Sequence, residues 1–489
     1  MKAICIALLA AAAQLANCQL NAPASQDTAW NSTFTLSAAQ KQLGQLSDEL
    51  ASQIETVYRW DQTQLANGGT TQDEFYNLLV GSMNAHPTKP GEILKVEDIT
   101  DITPFNLPAE VSMSRIIYTS VNLNGTLVPA SGYILWPYAA KQIRSRLNWS
   151  TTAQAPSVVW NHGTSGWFAD GAPSTHRSLF YGDHMPFALA QAGYAVIAPD
   201  YAGLGVNASW DGTFVPHQYL AREASAKDSL NMIRAVRSAF PCRITSDYVV
   251  VGHSQGGAVS WGVSEVLAQD RSEFLDVYSG HLGTLMFAPA VDSILTHESL
   301  FYPLLSRFMK GIFPTFNPSD WLTPLGIARA QLVSDLQAAQ FVVEYAVATV
   351  PGILVDNPDS TYYGPAYAAL ADPGNRPYKG PMLLIQGSAD PVVSPNATLD
   401  TFESTCHKFG GNFEYMSVPG AGHFPGMDAT RHLWLSWIED RFNGHPVQIG
   451  CQSSTVESLL PFNRYKNLTS SFLDWSGAPQ WYYHLPDRA

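Results

Sequence analysis

The sequence predicts an α/β fold, a mostly parallel central sheet flanked by helices and interrupted once by an inserted helical segment. Three observations predict it. Short apolar runs rich in β-branched residues alternate with amphipathic stretches of helical length, the pattern of parallel strands joined by crossover helices. One such run ends in a Gly-X-Ser-X-Gly turn that opens directly into a helix. The alternation lapses between residues 291 and 379 and then resumes.

The 489 residues are 46% apolar, enough for a sizeable core. A net charge of -14 opposes the attraction to phosphates on which nucleic-acid binding mostly rests, and no Lys/Arg cluster offsets it. Nucleic acid is therefore not an expected partner.

Residues 1–18 read as a signal peptide: Lys2 is a basic start, Ile4 to Ala13 is an apolar stretch, and small residues precede Gln19, the expected mature N-terminus. That stretch is too short to cross a bilayer, and no later segment reaches the roughly 20 apolar residues a span needs. The expectation is a secreted protein with no stable membrane anchor. Secretion gives meaning to the Asn-X-Ser/Thr sequons at Asn31, Asn124, Asn148, Asn207, Asn396 and Asn467, which are glycosylation candidates as a set. Each tripeptide alone also arises by chance. Without Cys5 and Cys18 the chain keeps Cys242, Cys406 and Cys451, which allows one disulfide and leaves one thiol over. Cys406 with Cys451 is the preferred pair because it brackets the segment carrying His423; the competing reading is three buried thiols acting as small apolar residues.

Taken in order, residues 19–110 form an N-terminal extension whose pattern from Ser37 to about Leu65 is helical. Strands Ser114 to Asn122 and Leu127 to Trp136 follow, joined by a hairpin turn at Asn124-Gly125. Strand, helix, strand alternation then runs through Ser157–Trp160, Phe187–Ala192, Tyr194–Ala198, Arg222–Arg237, Tyr248–Val251, a helix from about Ala258, and Thr284–Phe287, so residues 111–290 make the first part of a core. Residues 291–379, with Pro and the aromatic residues Phe301, Tyr302, Phe308, Phe313, Phe316 and Trp321, read as a helical cap. Residues 380–445 complete the core with strands Met382–Ile385 and Phe413–Val418 and helices near Leu399–Phe409 and Ala429–Phe442. Residues 446–489 form a C-terminal tail.

A Gly-X-Ser-X-Gly pentapeptide alone decides little, since chance supplies one in roughly one chain in six of this length if Gly and Ser each occur at about 7%. Here Gly252-His253-Ser254-Gln255-Gly256 follows Val249-Val250-Val251 and precedes a helix, the strand, turn, helix context of a nucleophile elbow. The glycines let neighbouring backbone pass close to a sharp turn that exposes the Ser254 hydroxyl. A serine needs a base, normally a His held by a carboxylate. Asp390, in the loop after Met382–Ile385, and His423, in the Gly/Pro-rich loop after Phe413–Val418, follow Ser254 in the chain order of this arrangement. His407 and His432 lie inside helices, and His253 suits packing or substrate contact. The backbone N–H of Gln255, at a helix start, and of Thr164, in the turn Asn161-His162-Gly163-Thr164, are the oxyanion candidates, with Gly163 or Ser165 as alternatives to Thr164; His162 reads as structural.

These residues resemble the α/β-hydrolase superfamily and, within it, the fungal secretory lipase family of the lipase A type. The resemblance spans about Ser114 to Phe442 and rests on His162-Gly163-Thr164, the stretch Ala198-Pro199-Asp200-Tyr201-Ala202-Gly203-Leu204-Gly205, the Ser254 elbow, Asp390 and His423. It implies an α/β-hydrolase fold with a helical cap inserted before the strand that bears the acid. It further implies hydrolysis of lipid or smaller acyl esters without metal or organic cofactor, with transient contact at a lipid interface. The cap and tail have no residue-by-residue match. Read together, the sequence points to a carboxylic ester hydrolase, lipase or esterase, acting through an acyl-enzyme. The alternatives are a serine peptidase or a specialised ester or lactone hydrolase, and, from another class, a secreted binding protein that kept the fold without catalysis.

Overall fold

The computed structural model describes residues 33–78, 87–143, 154–292, 298–343, 346–347 and 351–465. The expected signal peptide and the sequons at Asn31, Asn148 and Asn467 lie outside them. Among the described residues ten strands form one sheet: β1 (Ile93–Glu97), β2 (Val111–Val121), β3 (Leu127–Pro137), β4 (Ala155–Asn161), β5 (Ala195–Pro199), β6 (Ile244–His253), β7 (His281–Phe287), β8 (Met382–Gly387), β9 (Phe413–Val418) and β10 (Cys451–Thr455). Their order is β1-β2-β3-β5-β4-β6-β7-β8-β9-β10. β1, β2, β3 and β5 pair antiparallel, and every pairing from β5–β4 to β9–β10 is parallel. The predicted α/β-hydrolase architecture is present.

The central strands are apolar on both faces because helices cover both, as a parallel sheet requires. Period-two alternation sends Val249 and Val251 of β6 into a core shared with Leu285, Leu383, Trp434 and Ile438. Val250 enters the opposite core, with Ile197, Leu230, Ile233 and Val263. Helices Arg222–Ala239 and Gln255–Gln269 close that second face. The expected final helix is present as Arg431–Phe442, and a short helix, Pro425–Ala429, that was not expected precedes it.

Helices Glu298–Ile312, Pro324–Asp335 and Tyr363–Ala371 occupy the interval between β7 and β8. Their apolar residues Tyr302, Leu305, Trp321 and Leu332 share one core with Leu36, Ala51, Ile54 and Val57 of the N-terminal helical region. The helix Asp48–Thr63 of the expected extension thus packs into the helical insertion. The Arg329 guanidinium, itself buried, donates to the backbone carbonyls of Gly44 and, at 2.8 Å, of Ala346.

Cys406 and Cys451 form a disulfide with Cα atoms 6.1 Å apart, as the sequence suggested. It joins the helix Pro395–Phe409 to β10, which lies within the expected tail and pairs with β9. Cys242 is also disulfide-bonded, which corrects the expectation of one thiol left over; that count had set Cys5 and Cys18 aside. Asn124 and Asn396 are exposed and Asn207 is half-buried. Among the described residues, no helix is long and apolar enough to cross a membrane.

Candidate active site

The candidate residues sit at the C-terminal ends of β4, β6, β8 and β9, with β7 between β6 and β8 in the sheet. β6 ends at His253, and Ser254 takes φ 57° and ψ -120° before helix Gln255–Gln269 begins. A positive φ is strained for a side chain with a Cβ, and it persists only where surroundings enforce it. Here the Ser254 N–H donates to Phe287 O at 2.9 Å, and Ser254 O accepts from Ala290 N–H at 3.0 Å, so the end of β7 fixes the turn. A Cβ on Gly252 would collide with the Gly256 backbone, and one on Gly256 with the Asn161 and His162 carbonyls. The motif glycines are required for the elbow to pass the loop after β4. Ser254 is left half-buried between buried His253 and Gln255.

His423 and Asp390 form a pair, with Nδ1 2.8 Å from Oδ2 and side chains only 4% and 0% exposed. The Nδ1 proton donates to the carboxylate, which leaves Nε2 as the basic nitrogen. Every other bond to Asp390 also suits an anion. Oδ1 accepts from the N–H groups of Val392 at 2.8 Å and Val393 at 2.9 Å, and Oδ2 from Gln386 Nε2 at 3.1 Å. Burial pushes the Asp390 carboxyl up, but the hydrogen bond and charge of His423 with the two backbone N–H groups more than reverse it, and the pKa lies below its ordinary value. Gln386, next to last in the otherwise apolar strand β8, gave no functional signal in the sequence.

His253 links base and elbow. Its Nε2 lies 3.0 Å from the His423 carbonyl oxygen and its ring 4.4 Å from that of His423. Burial drives its pKa well below the ordinary value, so the ring is neutral and packs. Among the described residues Ser254 Oγ makes no hydrogen bond to His423, a looseness common at such sites before substrate binds. His407 and His432 are exposed on their helices. His162 is structural as expected, buried against Tyr201 at 4.3 Å, with burial pushing its pKa down to about 4.

The loop after β4 runs beside the elbow: a Cβ on Gly163 would lie 3.2 Å from Ser254 Cβ. The Gly163 N–H donates to the Tyr181 hydroxyl, which removes Gly163 as a free donor. The Thr164 N–H has no acceptor among the described residues, and that of Gln255, first in its helix, has no intrahelical acceptor. Thr164 Oγ1 and the Tyr219 hydroxyl are 2.8 Å apart. Among the described residues no group of three or more His, Cys, Asp or Glu side chains is placed to hold a metal ion.

Residues 158–431, from β4 into the last long helix, match the model of the alpha/beta hydrolase family. The chain belongs to that family. Ser254, Asp390 and His423 of this alpha/beta hydrolase all fall within the matched span. Lipase 10 of Candida albicans is 22% identical over 411 residues, which are 79% of this chain and 84% of that protein. Lipase A of Candida antarctica in its closed state is similar in structure, with a TM-score of 0.57 at 16% identity over 78% of this chain and 88% of that one. At such identity the structural likeness is one of fold.

Proposed function

We propose that this alpha/beta hydrolase is a secreted serine hydrolase that cleaves carboxylic esters of lipids or smaller acyl compounds, with Ser254, His423 and Asp390 as nucleophile, base and acid. The observation that carries the reading is the buried 2.8 Å His423–Asp390 pair beside a serine held at positive φ. Both named relatives are lipases, which supports an ester substrate.

In this mechanism Ser254 Oγ attacks the ester carbonyl carbon as His423 Nε2 takes the hydroxyl proton. The carbonyl oxygen becomes an oxyanion held by the Thr164 and Gln255 N–H groups, the second at the positive end of a helix dipole. Asp390 stays ionised, orients the imidazole and stabilises the imidazolium. His423 returns its proton to the leaving alkoxide, freeing the alcohol and leaving the acyl group on Ser254. Water then attacks the acyl carbon, His423 takes its proton, and collapse releases the acid while Ser254 Oγ is reprotonated. In this reading the insertion 291–379 is a cap that selects the acyl group.

The test is labelling of the purified protein by a fluorophosphonate, wild type beside Ser254→Ala, followed by turnover of p-nitrophenyl esters of graded chain length, triglyceride emulsions and aminoacyl amides. The expected result is labelling of wild type alone, with ester turnover reduced about 10⁴- to 10⁶-fold in the variant. Label retained by Ser254→Ala, or absent from folded wild type, would overturn the assignment. Preference for amides would move the reading to a peptidase.

A further inference from the structure

One three-residue segment, His217-Gln218-Tyr219, touches the side chains of both proposed oxyanion donors. His217 Nε2 lies 3.4 Å from Gln255 Nε2, and the Tyr219 hydroxyl lies 2.8 Å from Thr164 Oγ1. We infer that His217 and Tyr219 are positioning residues, which fix the two N–H donors of the oxyanion site and tie them to the helical cap. The inference rests on the serine-hydrolase reading above.

The His217 contact has a defined sense. Nδ1 is 3.1 Å from the Ala202 carbonyl oxygen, which only an N–H can approach as a hydrogen-bond partner, so Nδ1 carries a proton. The ring is 1% exposed, and burial pushes its pKa down to about 3, so it is neutral and Nε2 keeps its lone pair. Gln255 Nε2 is therefore the donor. Gln255 Oε1 is buried without a partner, so the bond to His217 is what orients this amide among the described residues. Packing alone does not hold the imidazole, because His217 also lines a cavity of about 400 Å³ with Trp210, Phe214 and Asp228.

Tyr219 works on the other donor. Its side chain is buried, with its ring 5.5 Å from Trp167 and 6.0 Å from His217. Its carbonyl accepts from the hydroxyl of Tyr367, which lies on the cap helix Tyr363–Ala371. Tyr201 adds a second tie, since its ring stacks on His217 at 6.1 Å while its hydroxyl donates to the His162 carbonyl at 3.0 Å. The Thr164 N–H has no acceptor among the described residues, so its direction follows from these bonds on its side chain and loop.

The test separates positioning from mere packing. Tyr219→Phe and Thr164→Val each delete one oxygen of the same contact. Each is expected to lower kcat on a short soluble ester about tenfold, a fraction of the 10²- to 10³-fold cost of losing an oxyanion donor, with KM within about twofold. Affinity for a trifluoromethyl ketone, whose adduct carries an oxyanion, should fall by the same factor, and the double variant should be no worse than either single one. His217→Phe should lower kcat and ketone affinity, His217→Gln, which restores an acceptor oxygen, should recover part of both, and His217→Phe should add no loss to Gln255→Ala. Folded variants with unchanged kcat and ketone affinity, or with a change confined to KM, would overturn the inference. Full turnover by Ser254→Ala would instead overturn the reading on which it rests.

Discussion

Two imidazole–carboxylate pairs pack against the ring of Phe424, and only one adjoins the strained serine. His423 and Asp390 are 2.8 Å apart; His184 and Asp428 are 3.2 Å apart, with the His184 side chain fully buried and that of Asp428 31% exposed. The His423 and His184 rings lie 5.4 Å and 5.3 Å from Phe424. Their surroundings differ. Asp390 is satisfied by His423, Gln386 and two backbone N–H groups, whereas Asp428 shares its charge with Arg431 at 2.8 Å. The His423 backbone is bonded to the residue before Ser254, whereas His184 Nε2 is buried without a hydrogen-bond partner among the described residues. A His–Asp pair is therefore no sign of catalysis in itself, and placement at a strand end beside a nucleophile is what gives one pair its proposed role.

The comparison is most exposed to the two carboxylates. Asp390→Asn is expected to lower kcat about 10⁴-fold, because the amide no longer selects the productive imidazole tautomer. Asp428→Asn should leave kcat on soluble esters within a few-fold of wild type. Comparable losses in both would erase the distinction. A smaller effect is expected from His184→Ala, which should cost about 1–3 kcal/mol of stability in chemical denaturation by opening a buried aromatic site, with kcat retained. Loss of kcat with unchanged stability would place His184 in the chemistry.

The smallest effect concerns pH and sharpens the comparison with two further buried acids. For Asp390 and Asp428 burial pushes the carboxyl up, but their histidine partners and other donors bring the pKa below the ordinary value. Their stabilisation is complete above the unfolded value near 3.9 and is lost as pH falls through the lower folded values. Asp200 and Asp228 behave oppositely, since burial pushes both to about 6 against the hydrogen bonds they accept. The folded state then holds protons that the unfolded chain has released, and their contribution to stability rises as pH falls through about 6. The buried histidines His162, His217 and His253 act the other way, because they charge only in the unfolded chain, so calorimetry should find a Tm that falls from pH 7.5 to 5, with Asp200 and Asp228 opposing the fall. Asp200→Asn should make that fall steeper than in wild type, and an equal or shallower fall in the variant would refute the account.

Legibility in the sequence followed the same division between local and long-range causes. The elbow was readable because three valines, two glycines and a helix lie within one short stretch, and Asp390 and His423 because each follows an apolar strand in a Gly/Pro-marked loop. β1 and β10 were not read. β1 carries Lys95 and Glu97, β10 is Cys-Gln-Ser-Ser-Thr, and each becomes a strand by pairing at a sheet edge with β2 or β9. Gln386, Tyr181, His217 and Tyr219 were invisible for a related reason. Each meets its partner across a turn or from a distant segment, and nothing in its neighbours marks it. The union of the N-terminal helices with the helices between β7 and β8 likewise depends on contacts no local pattern encodes.

That union sets an order of events during synthesis. Arg329 and the Gly44 carbonyl it binds are 285 residues apart in the chain. At about 5–20 residues per second, a ribosome needs roughly a quarter of a minute to a minute to make that interval. Throughout it, the apolar stripe of Ala51, Ile54 and Val57 lacks Leu332 and Val333 of its final core, while the strands between can already pair. The first helices to be made are among the last to be seated, and the nascent chain carries a sticky surface that a holding chaperone would recognise.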